Sequence, residues 1–265
     1  MRASVVSFVR GAGWLGEGWR LYRVAPLTWL MLVFLYWILM SAVSAVPVIG
    51  VAVAVTLIPA FSVGFMAASR SCAAGRTPGI ADLFEGLRGA LPAQLALGVL
   101  YFGLLAAVLW LTTLADDGAL ARWLATGKRP DEQTLRSGGV FWALALAAAG
   151  YAPVMLLYWF APVLAAWHGT GPGKALFFSF AACLVNWRAL TGYGVAAALV
   201  TIAIPFLVLT ALVLASGGRL QAGAVGVMLP LLLALMPMLY ASFFASYRDI
   251  FGSAPAAPEG AAPPP

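Results

Sequence analysis

Charge is what this sequence has least of. Only 9% of its 265 residues are Asp, Glu, Lys or Arg, against about 25% in an ordinary soluble domain. With 63% of residues hydrophobic, no water-soluble fold of this length could hide the apolar surface. Histidine occurs once, at His168, and cysteine twice, at Cys72 and Cys183. The two cysteines form no C-x-x-C pair and no Cys/His cluster, so no zinc site or other cofactor is expected. Both fall on the side read below as cytoplasmic, where free thiols are expected and a disulfide is not.

A further absence lies inside the apolar runs. None carries an ionisable side chain near its middle, which argues against a proton relay or an ion site at mid-membrane depth. Gln94, Asn186 and His168 all lie near the ends of runs.

What is present is a series of apolar runs of the length that spanning helices need. Six spans are predicted, over Pro26–Val46, Ile49–Ala68, Pro92–Ala115, Gly139–Trp167, Ala189–Ala215 and Ala222–Ser246. A Leu, Ile, Phe or Val at a helix centre contributes roughly −0.3 to −0.6 kcal/mol to insertion, and a charged residue opposes it by roughly 2.5 to 3.5 kcal/mol. Each run is therefore strongly favoured to insert. The fold class is an all-α integral membrane protein, with residues 1–252 as the membrane domain. The tail 253–265, rich in Pro and Ala, is expected to be disordered. The apolar run within Met1–Arg10 is short and no small-residue cleavage site follows it, so the N-terminus is expected to be retained.

The loops set the orientation. One side holds Arg2, Arg10, Arg20, Arg23, Arg70, Arg76, Arg88, Lys174, Arg188 and Arg248; the other holds Arg122, Lys128, Arg129, Arg136 and Arg219, with four acids beside them. The richer side is expected to be cytoplasmic, with both termini inside and the loop 116–138 outside. A basic cytoplasmic face beside anionic headgroups accounts for the net charge of +6 without nucleic acid.

Gly11-Ala12-Gly13-Trp14-Leu15-Gly16 matches the dinucleotide-binding pattern G-x-G-x-x-G. That pattern needs a βαβ unit and an acid about 20 residues on. Here the corresponding stretch is Leu32–Tyr36, inside the first span. The better reading is an amphipathic helix in the membrane interface. Val5, Phe8, Val9, Ala12, Leu15, Trp19 and Tyr22 share one face; Arg10, Gly13, Glu17 and Arg20 share the other, and the glycines weaken or break the helix.

The pattern returns. Leu15-Gly16-Glu17-Gly18-Trp19-Arg20 compares with Leu83-Phe84-Glu85-Gly86-Leu87-Arg88, and each leads to a proline that opens a span, Pro26 or Pro92. A third, longer copy runs from Thr170 to Asn186-Trp187-Arg188. The even-numbered spans end alike, in Ala67-Ala68-Ser69-Arg70, Ala165-Ala166-Trp167-His168 and Ala245-Ser246-Tyr247-Arg248. Three units are read, each an interfacial helix and two spans; chance similarity among apolar helices is the rival. Small residues at four-residue spacing (Ala60, Gly64 and Ala68; Ala161 and Ala165; Ala241 and Ala245) mark close helix contacts and suggest that the even spans pack inside. Pro153, Pro162, Pro205, Pro230 and Pro237 are expected to kink their helices.

Candidate chemistry is thin. Asp82 and Glu85 are read as the solvated face of a short helix, Asp116-Asp117 as a loop start and His168 as an interfacial residue. A lipid-modifying enzyme using Asp82, Glu85 or His168 is the least favoured reading. The residues singled out are Arg20, Arg70, Arg88, His168, Arg188 and Arg248, as possible contacts for lipid headgroups.

Trp14…Gly18-Trp19…Pro26…Trp29, Phe61-Ser62-Val63-Gly64-Phe65-Met66-Ala67-Ala68…Arg70 and Trp159-Phe160-Ala161-Pro162…Trp167-His168-Gly169, continuing to Pro172…Lys174…Asn186-Trp187, resemble a family of proteobacterial inner-membrane proteins, the BPSS-type membrane proteins. The resemblance covers most of the chain except the tail. It implies a bacterial inner membrane and a six-helix bundle, and brings no catalytic residues. The leading function is then a non-enzymatic membrane protein that works through lipid or protein contacts, with anionic lipid and a membrane-protein partner both in view. The alternative is a channel or transporter for a small or amphipathic solute.

Overall fold

The computed structural model describes residues 3–217 and 224–252, the side chains of 224–232 and 234 excepted. Among the described residues every regular element is helical. In chain order these are α1 (Phe8–Tyr22), α2 (Pro26–Ser44), α3 (Gly50–Ala73), α4 (Ile80–Leu83), α5 (Glu85–Gly89), α6 (Leu91–Asp116), α7 (Ala119–Thr126), α8 (Glu132–Arg136), α9 (Gly139–Tyr158), α10 (Ala161–His168), α11 (Pro172–Val185), α12 (Trp187–Ala198), α13 (Ile204–Ala215) and α14 (Ala224–Phe251).

Five stretches are long and apolar enough to cross a membrane: α2, α3, α6, α9 with α10, and α12 with α13. They coincide with the first five predicted spans. The sixth falls on α14, a continuous helix of 28 residues whose early side chains lie outside the description. The predicted tail, 253–265, lies wholly outside the described residues. The element order is one or two short helices followed by two long stretches, three times over, with α7 and α8 inserted between the long stretches of the second unit.

Proline acts unequally. Pro59 and Pro153 lie within unbroken helices. Pro162 lacks an N–H for the carbonyl of Tyr158, and the fourth span breaks there, between α9 and α10. Side chains repair the break. The Ser179 hydroxyl accepts from Phe160 N at 2.9 Å and donates to Leu156 O at 2.9 Å, and Gln94 Nε2 donates to Pro162 O at 2.9 Å. In the fifth span a π-helical turn, Leu199–Ala203, precedes Pro205.

The chain divides into two compact units, Met1–Leu39 with Val63–Glu85 and Val185–Pro265, and Met40–Ser62 with Gly86–Leu184. In the first, α1 packs on α12 and α14. In the second, α6 packs along α9.

The helix α1 is unbroken, and two of its glycines, Gly11 and Gly18, lie on its contact surface. A β-carbon at Gly11 would fall on the backbone of Ala189, and one at Gly18 on the backbone of Met238 and Ser242. Gly192 of α12 is closed in the same way by the backbone of Phe8. Gly13 and Gly16 face open space. The expected single apolar face is therefore corrected. Trp14, Leu15, Gly18 and Tyr22 are buried in the unit, while Val5, Phe8, Val9 and Trp19 stay exposed. The periodicity merged two apolar sides because a glycine carries no hydropathy signal, yet it permits the closest approach.

The other short helices dock in the same register. Gly64 of α3 is closed by the backbone of Leu83, and Gly86 by the backbone of Ala60. Ala60 lies ten residues before Arg70 and Met238 ten before Arg248. In the third copy, Ser179 of α11 reaches Leu156 and Phe160, which bracket Tyr158, ten residues before His168. The Ala60–Gly64–Ala68 stripe is thus a seat for a short helix at Gly64. In its most apolar stretch α3 is 56% buried, against 17% for α2, whereas the fourth span is 17% buried like the third, so the expected inside place of the even spans is seen at α3 and not at the fourth.

Candidate functional site

The glycine seats bring acids of the short helices to the basic ends of the even-numbered spans. Glu17 precedes Gly18 as Glu85 precedes Gly86. Glu17 is 6% exposed, so its expected place on a solvated face is corrected. Its carboxylate pairs with Arg248, lies 2.6 Å from Arg10 and is 3.4 Å from Arg20. In the matching position Glu85 lies 2.6 Å from Arg70. An isolated carboxylate is costly to bury, and paired charges offset that cost.

Asp249 completes the first cluster. It accepts from Arg10 Nε at 2.6 Å and Nη2 at 2.9 Å, a bidentate pair, and from Trp14 Nε1 at 2.8 Å. Burial alone would raise its pKa. The hydrogen bonds from Arg10 and Trp14 and the charges of Arg10 and Arg248 outweigh that and hold it below the ordinary aspartate value. The same carboxylate raises the pKa of the Arg10 guanidinium. The N-terminal segment is tied down beside it. Ser4 N donates to Ile250 O at 2.8 Å, and Asn186 accepts from Val6 N at 2.7 Å and donates to Ser4 O at 3.0 Å.

Asp82 is likewise no idle surface acid. It accepts from Gly79 N at 2.8 Å and lies 3.3 Å from the Ser71 hydroxyl. The solvated-face reading of Asp82 and Glu85 is corrected for both. Asp116, read as the start of a loop, is buried and accepts from Gly118 N at 2.9 Å and Leu120 N at 2.6 Å, which fixes the entry to α7. Cys72 and Cys183 are free and buried. Among the described residues no group of three or more His, Cys, Asp and Glu could hold a metal ion.

The six singled-out residues divide. Arg70 and Arg248 are engaged by Glu85 and Glu17, and His168 is half-buried at the end of α10. Arg20, Arg88 and Arg188 are exposed. The Arg188 guanidinium lies over the Trp187 ring, 5.5 Å from its centroid. Sequence reasoning missed the roles of Arg10, Trp14, Glu17 and Asp249. A signal was available, since the repeat aligned Glu17 with Glu85 and Arg248 with Arg70. In the third copy both members are gone together: α11 has no acid and the span ends in His168.

Helices of this length and apolarity, with short helices seated at their charged ends, define an all-α, multi-pass membrane protein. A protein of Burkholderia thailandensis named "probable inner membrane protein" is 41% identical over 268 residues, spanning 98% of this chain and 97% of that protein. The chain belongs to that family of inner membrane proteins. No protein-family model matches it, and no solved structure does.

Proposed function

We propose that this inner membrane protein is not an enzyme and acts through contacts made by a basic, cytoplasmic face, with anionic phospholipid as its partner. In this reading it is a six-span protein of the BPSS type with both termini inside. The observation that carries it is the division of charge. Glu17, Glu85 and Asp249 are spent on internal ion pairs, whereas Arg20, Arg88, Arg188, Arg23, Arg76 and Lys174 remain exposed. Exposed Trp19 and Trp187 stand beside two of them, as interfacial anchors do. Each basic group near an anionic surface contributes about 1 kcal/mol. The protein purified in mild detergent is expected to retain phosphatidylglycerol or cardiolipin in preference to phosphatidylcholine by native mass spectrometry. Equal retention of all three would sink the reading.

A channel or transporter is the second reading, favoured by the broken fourth span and the π-helical turn in the fifth. Discontinuous spanning helices often flank solute sites, and π-turns are frequent at functional positions. Among the described residues, a groove of about 350 Å³ between α6 and α9 is lined mainly by apolar residues such as Leu104, Val108, Pro153 and Leu157, which suits an apolar solute better than a polar one. Solute flux in proteoliposomes separates the two readings.

A further inference from the structure

Five arginines sit where a short helix or a span ends, and the fold sorts them by position in the repeat. Those at the ends of even-numbered spans are turned to internal use. Arg70 has a side chain only 14% exposed and lies 2.6 Å from Glu85, and Arg248 is engaged by Glu17. Those at matching positions near the ends of the short helices point outward: Trp19-Arg20, Leu87-Arg88 and Trp187-Arg188. The Arg20 side chain is 72% exposed. Its contact with Glu17 is long, and that carboxylate is already held more closely by Arg10 and Arg248. Among the described residues no carboxylate lies within ion-pair distance of Arg88 or Arg188.

We propose that Arg20, Arg88 and Arg188 are the phosphate-binding side chains for anionic phospholipid, each a separate headgroup contact, and that Arg70 and Arg248 are not. The inference rests on the lipid reading above and assigns the residues that carry it. A guanidinium recognises a phosphodiester by presenting two parallel N–H groups to two oxygens. A fork already committed to a carboxylate has fewer to offer. Arg88 and Arg188 leave the whole fork available, and Arg20 all of it but the Nη2 that lies 3.4 Å from Glu17. At Arg188 the ring of Trp187 supports the guanidinium face by a cation–π contact, which leaves the N–H edges for a ligand. Trp19 and Trp187 are 44% and 58% exposed, so an indole accompanies two of the three arginines. Indoles settle at headgroup depth and would hold these arginines level with the phosphates. An anionic phospholipid fits better than a soluble phosphate, because apolar residues of the short helices α1 and α11, Val9 and Phe177, are exposed as well.

The full-length protein is compared with two variants in mixed detergent micelles containing phosphatidylglycerol or phosphatidylcholine, with bound lipid counted by native mass spectrometry on the folded fraction. One variant carries Arg20→Gln, Arg88→Gln and Arg188→Gln; the other carries Arg70→Gln and Arg248→Gln. The triple variant is expected to lose phosphatidylglycerol affinity by about fivefold per arginine removed while keeping its thermal midpoint. The double variant is expected to melt earlier, yet each folded molecule should bind the lipid as the unmodified protein does. Unchanged lipid binding by the triple variant, or an equal loss in the folded double variant, overturns the assignment and leaves the lipid reading standing. An unmodified protein with no preference for phosphatidylglycerol overturns both.

Discussion

Gly18→Leu is expected to lower the thermal midpoint in detergent sharply, while Gly13→Leu in the same helix leaves it unchanged or slightly raised. A β-carbon at position 18 meets the backbone of Met238 and Ser242, and one at position 13 meets nothing. Extra methylenes in a packed contact cost typically about 1–3 kcal/mol. Main-chain atoms yield less readily than side chains, so the upper end of that range applies at Gly18. At Gly13 only helix propensity changes, in favour of leucine by roughly 0.5–1 kcal/mol. Gly64→Leu and Gly86→Leu should behave like Gly18→Leu, since Leu83 and Ala60 close those positions. Equal midpoints for the substitutions at 13 and 18 would mean that α1 is not seated on α14 as described.

Arg248→Met is expected to be the most damaging change at the charged cluster. Removing one partner of a buried ion pair costs about 3–5 kcal/mol. The Arg248 side chain is 38% exposed and Arg10 still lies 2.6 Å from Glu17, so solvent and the second arginine reduce this to about 2 kcal/mol. Adding Glu17→Leu to Arg248→Met should recover part of the loss, because the buried carboxylate that lost its partner is then gone as well. No recovery in the double variant would contradict the pairing. The same cluster predicts a response to acid. Asp249 has a folded-state pKa below its ordinary value, so its contribution to stability is present above the unfolded value of about 3.9 and is lost as pH falls through the lower, folded value. Asp249→Asn should flatten that part of the acid transition.

The spans were legible because insertion depends on summed apolarity over some twenty residues, and the five described stretches coincide with the runs in the sequence. The repeat was legible for a different reason. Glu17-Gly18 and Glu85-Gly86 are short matches, but acid and glycine together are needed to seat a helix and pair a charge, so they recur as a unit. The buried face of α1 was not legible. Hydropathy weighs Val9 and Leu15 alike, although one is exposed and the other buried, and it gives no sign that Gly11 and Gly18 are contacts while Gly13 and Gly16 are not. The engagement of Arg70 and Arg248 was hidden as well. A positive-inside count treats every arginine as an anchor, whereas the distance to a carboxylate fifteen or more than two hundred residues away decides which ones are free.

That free basic side chains face the cytoplasmic leaflet is the claim on which the account turns, and sidedness tests it most directly. In a Cys72→Ala, Cys183→Ala background, single cysteines are placed at Ala74, in the exposed turn after α3, and at the exposed Ala125 near the end of α7. Intact cells with a permeabilised outer membrane are treated with a membrane-impermeant thiol reagent. Labelling is expected at position 125 in intact cells and at position 74 only after the inner membrane is opened. Labelling at 74 but not at 125 in intact cells would place the arginines on the outer face and contradict it.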